Sequence, residues 1–403
     1  MDRDEEPGTA APNRRELIQG CLAAGVLAAG GMRAAPLLAA LTPGEPLGVL
    51  PFVGEGSFWR SDDPEDSERR FGSGLGGRKI FDLSTLDRSS LVVPSDRFFI
   101  RTLAPADLVQ KPERDPSAWK VDLAGLVRKP VKVPVAELLR RARPQGVHLL
   151  ECSGNSAEHS FGLLSAARWS GVPVAALLDR ARPLSTAAAV EVVGYDEPKR
   201  PDLSSTPGAS WVFTRRQLAS RGAFFATHLN GQLLPADHGV PIRLVVPGWY
   251  GCTCIKWVTS IRWVGRDALA SSQMREFAAR THQSGVPELA LDYAPAAIDP
   301  AALPVRVEKW RTAQGIELRL VGILWGGDRP VRRLSVRCGT EAPWISVDQI
   351  DPGLTATWRL WRHVWRAPQA GPLEIRLRVD EPKVPTRRLD TGYYARTVDV
   401  GEV

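Results

Sequence analysis

The sequence predicts an α+β chain of two unlike halves, and three observations lead there. Up to about residue 285, short β-type runs alternate with helical ones; beyond that, strands follow one another at sandwich-like spacing with no helix between them; and a Pro- and Ala-rich stretch around 291–304 separates the two textures. A length of 403 residues exceeds the usual size of one domain and accommodates two. Hydrophobic residues at 43% and charged residues at 24% are ordinary for a folded chain, so a sizeable core is available.

Taken in order, residues 1–42 are expected to be a twin-arginine-type signal peptide. Asn13-Arg14-Arg15 precedes a run of small apolar residues too short and too rich in Ala and Gly for a spanning helix, so the chain is expected in the periplasm without an integral membrane span. An ordinary amphipathic N-terminal helix is the competing reading. Residues 43–78, with Gly, Pro and the acidic cluster Ser61-Asp62-Asp63-Pro64-Glu65-Asp66, read as an extended, poorly packed arm, and order is expected to begin near Lys79. Residues 97–103, 119–126 and 190–193 read as strands, and 135–142, opened by Pro134, and 174–182 as helices. Asn230-Gly231 between apolar flanks marks a hairpin turn. A cofactor domain is thus expected over 79–285 and an all-β domain over 286–403, with strands at 315–321, 331–337, 357–364 and 373–379.

A formal charge of +7 comes mostly from arginine, whose fork binds two oxygens of an anion at once. No long basic run or nucleic-acid motif accompanies it, so nucleic acid is not an expected partner. Five cysteines, Cys21, Cys152, Cys252, Cys254 and Cys338, contain no Cys-x-x-Cys pair, which excludes a disulfide-dense scaffold and places any covalently attached haem on a partner.

The stretch from 147 to 151 suits a short buried strand, and Ser153-Gly154-Asn155-Ser156 cannot continue it, so Cys152 is expected at the strand's end. The amides of that turn, with Ser153 and Asn155 among them, could donate to an anionic cofactor. An isolated cysteine is more often a small buried hydrophobe, so the surroundings must decide.

Those surroundings are Cys152-Ser153-Gly154-Asn155, Arg168-Trp169-Ser170-Gly171-Val172-Pro173, Asn-Gly-x-x-Leu-Pro-x-x-His-Gly-x-Pro-x-Arg from Asn230 to Arg243, Val246-Pro247-Gly248-Trp249-Tyr250-Gly251 and Lys256-Trp257-Val258. In that order and spacing they resemble the sulfite oxidase family of molybdopterin enzymes, from roughly residue 93 to the C terminus. The resemblance implies a mixed α/β molybdopterin domain followed by an immunoglobulin-like dimerisation domain, and hence a homodimer. It implies molybdenum on molybdopterin, with Cys152 as the protein's thiolate ligand, a soft donor suited to that metal. It places Arg243 and Lys256 near the pterin's phosphate and His238 near the pterin itself. It also implies oxygen-atom transfer to or from a small oxyanion or sulfur compound such as sulfite, with electrons leaving to an external carrier, a cytochrome c.

Around the substrate the pattern departs from the family. Phe98-Phe99-Ile100-Arg101 makes Arg101 the candidate for the oxyanion, but Thr102-Leu103 follows where the family has Asn-His. The position five after the cysteine, arginine in animal sulfite oxidases, is Ala157, and a family tyrosine falls on Phe277. Trp169 is retained, to wall the pocket or to pack in the core. A lost arginine forfeits a charge-assisted bond, and Arg168, Arg215 and Arg216 are the candidate replacements. Cys252 and Cys254 read as the start of a strand, sharing a face, as packing residues or as a second redox or metal site. Two other functions stay open, an S- or N-oxide reductase using the same site and a cofactor-free exported binding protein.

Overall fold

A computed structural model describes residues 42–54, 79–102, 118–195, 209–353, 356–366 and 368–402. The expected signal peptide lies outside the described residues, as does most of the expected arm. Among the described residues the chain is mostly sheet with few and short helices, and none is long and apolar enough to cross a membrane.

The first half builds two five-stranded sheets. One runs in the order Val131–Pro134, Lys120–Gly125, Val258–Val264, Ala189–Gly194, Ser210–Phe213, and Lys120–Gly125 lies parallel to Val258–Val264. The other is antiparallel: Gln232–Leu233, Phe224–Leu229, Leu164–Pro173 and Arg143–Glu151, with Arg243–Val245 also paired to Phe224–Leu229. Arg143–Glu151 turns fully buried over its last three residues, because its polar start lies at the rim while its apolar end runs into the core. The helix over Val135–Arg141 follows Pro134, whose missing N–H costs nothing there. The Asn230-Gly231 hairpin forms with φ of 49° and 85°, the left-handed pair that such a turn demands.

The second half forms two further five-stranded sheets. One contains Ala301–Thr312, Gly315–Trp325 and Arg359–Arg366; the other contains Leu334–Cys338, Pro372–Val379 and Arg396–Asp399. Alternating burial along Pro372–Val379 shows one face on the core and one in solvent.

Several expectations change. The part of the arm that is described is paired, not loose: Gly44–Leu50 adds an edge strand to Ala301–Thr312, and Phe52–Val53 pairs with Arg396–Asp399 of the other sheet. Its exposure conceals it from any hydrophobic pattern, and Pro46 sits beside a register shift, where an edge strand tolerates proline. Ala301–Thr312 begins inside the expected linker, and Pro304 there also flanks a register shift. Residues 97–102 form only an isolated bridge, Ile100 to Lys79, rather than a strand. The helix expected over 174–182 shortens to Ala175–Leu178 and one 3-10 turn. Cys338 ends a strand instead of lying in a loop.

The two halves pack through tryptophan. Trp358 Nε1 donates to Leu91 O at 2.9 Å, Leu149 N to Ala356 O at 2.8 Å, and Trp325 Nε1 to Glu151 Oε2 at 2.9 Å. The last of these brings the second half to within one residue of Cys152.

Candidate functional site around Cys152

Cys152 sits one residue beyond the strand Arg143–Glu151, its thiol 7% exposed. The turn is fixed from the inside. Asn155 N donates to Cys152 O at 2.9 Å, Asn155 Oδ1 accepts from Leu163 N at 3.0 Å, and Gly154 N donates to Cys152 Sγ at 3.4 Å. The Asn155 side chain bonds Leu163 N and, at 3.4 Å, Glu151, and so holds the turn.

Behind the turn stands Glu151, fully buried, with Trp325 Nε1, Tyr394 Oη at 3.0 Å and Asn155 Nδ2 around its oxygens. Burial pushes its pKa up, and Arg388 and these hydrogen bonds oppose that.

Cys152 lines a cavity of the first half. One wall is apolar, with Phe98, Phe99, Ile255 and Phe277; the other brings His238, Arg243 and Lys256 together. Gly239 makes that convergence possible. It ends the 3-10 turn Ala236–His238 at φ 105°, and a Cβ there would stand 3.1 Å from both Arg243 Cβ and Lys256 Cβ. Arg243, 6% exposed, donates through Nη1 to His238 O at 3.2 Å and through Nη2 to Cys254 O at 3.1 Å, while its buried Nε has no partner. Burial lowers its pKa to about 10. Lys256 Nζ donates to Thr102 O and to Asp237 O and lies 4.2 Å above the Trp257 ring. Burial first, then the charges of Arg243 and Lys256, pull His238 down to about 3, so its imidazole is neutral at physiological pH.

Trp169 does not line this cavity. It is 1% exposed, donates through Nε1 to His148 O at 3.0 Å, and stacks edge-on to Phe98 at 5.8 Å and beneath Arg243 at 5.5 Å. It sets Phe98 and Arg243 in place from behind.

Cys252, Cys254 and Gln273 were not expected here, yet all line the same cavity. The cysteines belong to a 3-10 turn, Gly251–Thr253, and the residue after it, not to a strand. Burial pushes the Cys252 thiol up and Cys152 adds to it, which places the two thiols as neighbours. Among the described residues no group of three His, Cys, Asp or Glu side chains is arranged to hold a metal unaided.

A second, polar cavity opens on the other face of the turn, lined by Ser153, Arg280, Arg388 and Tyr393, with Arg101 shared between the two cavities. The replacements expected from sequence are elsewhere: Arg215 pairs with Asp179 at 2.6 Å, and Arg168 and Arg216 are exposed and line neither cavity. Arg280 and Arg388 lie more than a hundred residues from Cys152, and no spacing in the sequence connects them to it.

The residues present suit an anionic, sulfur-ligating cofactor. A buried guanidinium nitrogen without an acceptor, a glycine that keeps the cationic corner open and a thiol with an amide on its sulfur supply the donors such a group needs. The sequence profile of the oxidoreductase molybdopterin binding domain matches residues 108–271. The comparisons support a molybdenum-dependent oxidoreductase of the sulfite oxidase family and imply molybdenum on molybdopterin as its cofactor. The mitochondrial sulfite oxidases of Macaca fascicularis and Homo sapiens are each 26% identical over 328 residues, 75% of this chain and 56% of theirs. The NADPH nitrate reductase of Beauveria bassiana is 31% identical over 163 residues, 37% of this chain and 18% of that one. The chain thus spans just over half the length of the sulfite oxidases that it matches. The crystal structure of the sulfane dehydrogenase SoxCD from Paracoccus pantotrophus shares the fold, with a TM-score of 0.58 and 16% identity over 93% of this chain and 90% of that one.

Proposed function

We propose that this chain transfers an oxygen atom to or from a small sulfur-containing substrate such as sulfite, using molybdenum on molybdopterin and passing electrons to a separate cytochrome c. The observation that carries the reading is Cys152 at the meeting point of an apolar wall and a cationic one. Molybdenum on molybdopterin, when bound, supplies the two-electron oxygen-atom transfer. The chain's own residues do the rest. Cys152 is the thiolate ligand, and the Gly154 amide points at its sulfur. Arg243 Nε and Lys256 meet the cofactor's anionic end, and neutral His238 offers a hydrogen bond without a competing charge. Phe98, Phe99 and Phe277 exclude water, which strengthens each of these interactions. Arg101, at both cavities, is placed to meet an anionic substrate.

The sulfite oxidases among the relatives support a sulfur substrate. Reduction of an S- or N-oxide runs the same site in the opposite direction, and a cofactor-free binding protein is the alternative of another class. We assign 79–285 as the molybdopterin domain and the two sheets of 286–403 as an immunoglobulin-like sandwich that joins a homodimer, with residues 1–42 exporting the chain to the periplasm.

Elemental analysis of the purified, matured protein is the test. One molybdenum per chain is expected, with none in Cys152→Ser, and that variant is expected to lose turnover. Matured protein without molybdenum, or full turnover in Cys152→Ser, removes the reading. Sulfite and methionine sulfoxide, assayed in parallel with artificial electron carriers, separate the two directions.

A further inference from the structure

Cys152 does not stand alone in its cavity. Cys252 lines the same space, and both are free thiols. Their backbones are pressed together: a methyl group placed on Gly251 would lie 3.2 Å from Glu151 O and 3.9 Å from Cys152 Cα, so the residue before Cys252 backs directly onto the end of the Cys152 strand. The side chains meet as well. Ser153, next to Cys152, hydrogen-bonds the Cys252 thiol, and Cys152 is the ionisable group that acts on that thiol most strongly.

The turn that carries Cys252 is firmly held. Thr253 donates to Tyr250 O through both N and Oγ1, each at 2.9 Å, Cys254 N donates to Gly251 O at 3.0 Å, and Gln273 Nε2 donates to Cys252 O. The other cysteines are engaged elsewhere. Cys254 also lines the cavity, but its sulfur accepts from Val246 N at 3.4 Å, and Cys338 ends a strand of the second half. Two thiols that share a cavity wall are open to a small thiol reagent, whereas a pair sealed in the core is inert.

We propose that Cys152 and Cys252 close into a reversible disulfide in the chain without its cofactor, withholding Cys152 from the metal and shielding it from irreversible oxidation. The consequence for the metal rests on the reading of Cys152 as its ligand; the pairing itself does not. The oxidant is a low-molecular-weight disulfide. One cysteine sulfur, as its thiolate, attacks that reagent to form a mixed disulfide and releases one small thiol; the second sulfur gives up its proton and displaces the other half. Two S–H bonds give way to one S–S bond, and the reagent leaves as two thiols. A Cys152 with no thiol beside it would pass from sulfenic to sulfinic acid, from which it is not recovered.

The full-length chain, purified from cells that cannot make the cofactor, is treated with oxidised glutathione and mapped by mass spectrometry without reduction. The wild type is expected to yield a peptide cross-linked between Cys152 and Cys252, with both thiols lost to titration and no glutathione attached, and dithiothreitol is expected to restore them. Cys252→Ser is expected to stop at a glutathione adduct on Cys152, and Cys254→Ser to cross-link as the wild type does. Protein carrying molybdenum is expected to form no cross-link, its Cys152 sulfur being engaged. A stable glutathione adduct on Cys152 in the wild type, a mixture of pairings that includes Cys254, as a loosely folded chain would give, or a cross-link that forms equally in molybdenum-loaded protein overturns the proposal. The cross-link in the unloaded chain, together with matured protein that holds no molybdenum, would instead leave the pairing standing and remove the oxidoreductase reading.

Discussion

On one face of the Cys152 turn the cavity is walled by Phe98, Phe99, Ile255 and Phe277, and its cations are tied to backbone carbonyls; on the other, Arg280 and Arg388 stand around a polar hollow. The first is dry enough to strip a histidine of its proton, and the second keeps an exposed arginine beside its rim. Such a difference suits two tasks. A resident cofactor is held once and benefits from fixed, desolvated donors, whereas a substrate must enter and leave, and a cation that remains hydrated releases it more readily. Arg101 belongs to both cavities and is where they meet.

The wall between the cavities depends on Glu151, and removing it is the largest disturbance we expect. Glu151→Ala leaves Trp325, Tyr394 and Asn155 donors unanswered and the Arg388 charge uncompensated, for a loss of roughly 3–5 kcal/mol. Urea unfolding would show it as a lower midpoint, and Glu151→Gln is expected to recover part of the loss. An alanine variant as stable as the wild type would show that the turn is held by its backbone alone.

A second test addresses the dryness of the cofactor side. His238 titrates near 3 in the fold and near 6.5 when unfolded, so between those values the unfolded chain binds the extra proton. Its contribution to stability is therefore present above about pH 6.5 and lost as the pH falls toward 3. Stability measured from pH 7 to pH 4 is expected to fall less steeply in His238→Asn than in the wild type. Parallel curves would mean that water reaches the imidazole.

The smallest effect is expected from Trp169→Phe, which removes one hydrogen bond to His148 O and keeps the ring against Phe98, at a cost of about 1 kcal/mol. KM and kcat are expected to stay within a factor of two to three. A large rise in KM would put Trp169 in contact with substrate and blur the separation of the two cavities.

The sequence made the residues of the apolar-walled cavity far more legible than those of the polar one, for a physical reason. Cys152 follows a strand whose pattern is local, and His238, Arg243 and Lys256 lie in short contiguous motifs around glycine and proline turns, so neighbouring residues testify to them. Arg280 and Arg388 have no such setting: each is an unremarkable charged residue within a short helical turn, and only tertiary packing brings it to the Cys152 turn. The same holds for the fold. Buried strands such as Lys120–Gly125 announce themselves by alternation, whereas the exposed edge strand Gly44–Leu50 carries no hydrophobic signal and is defined wholly by its partner.

That edge strand has a consequence for the order in which the molecule is assembled. Gly44–Leu50 is synthesised before the whole of the first half, yet its partner Ala301–Thr312 emerges only after it, and Phe52–Val53 waits longer still for Arg396–Asp399. Pairings so distant along the chain close slowly. The half that holds Cys152 is consequently a long insertion whose beginning and end are both fastened to one pair of sheets, and those sheets are complete only when the last strand, Arg396–Asp399, has been added.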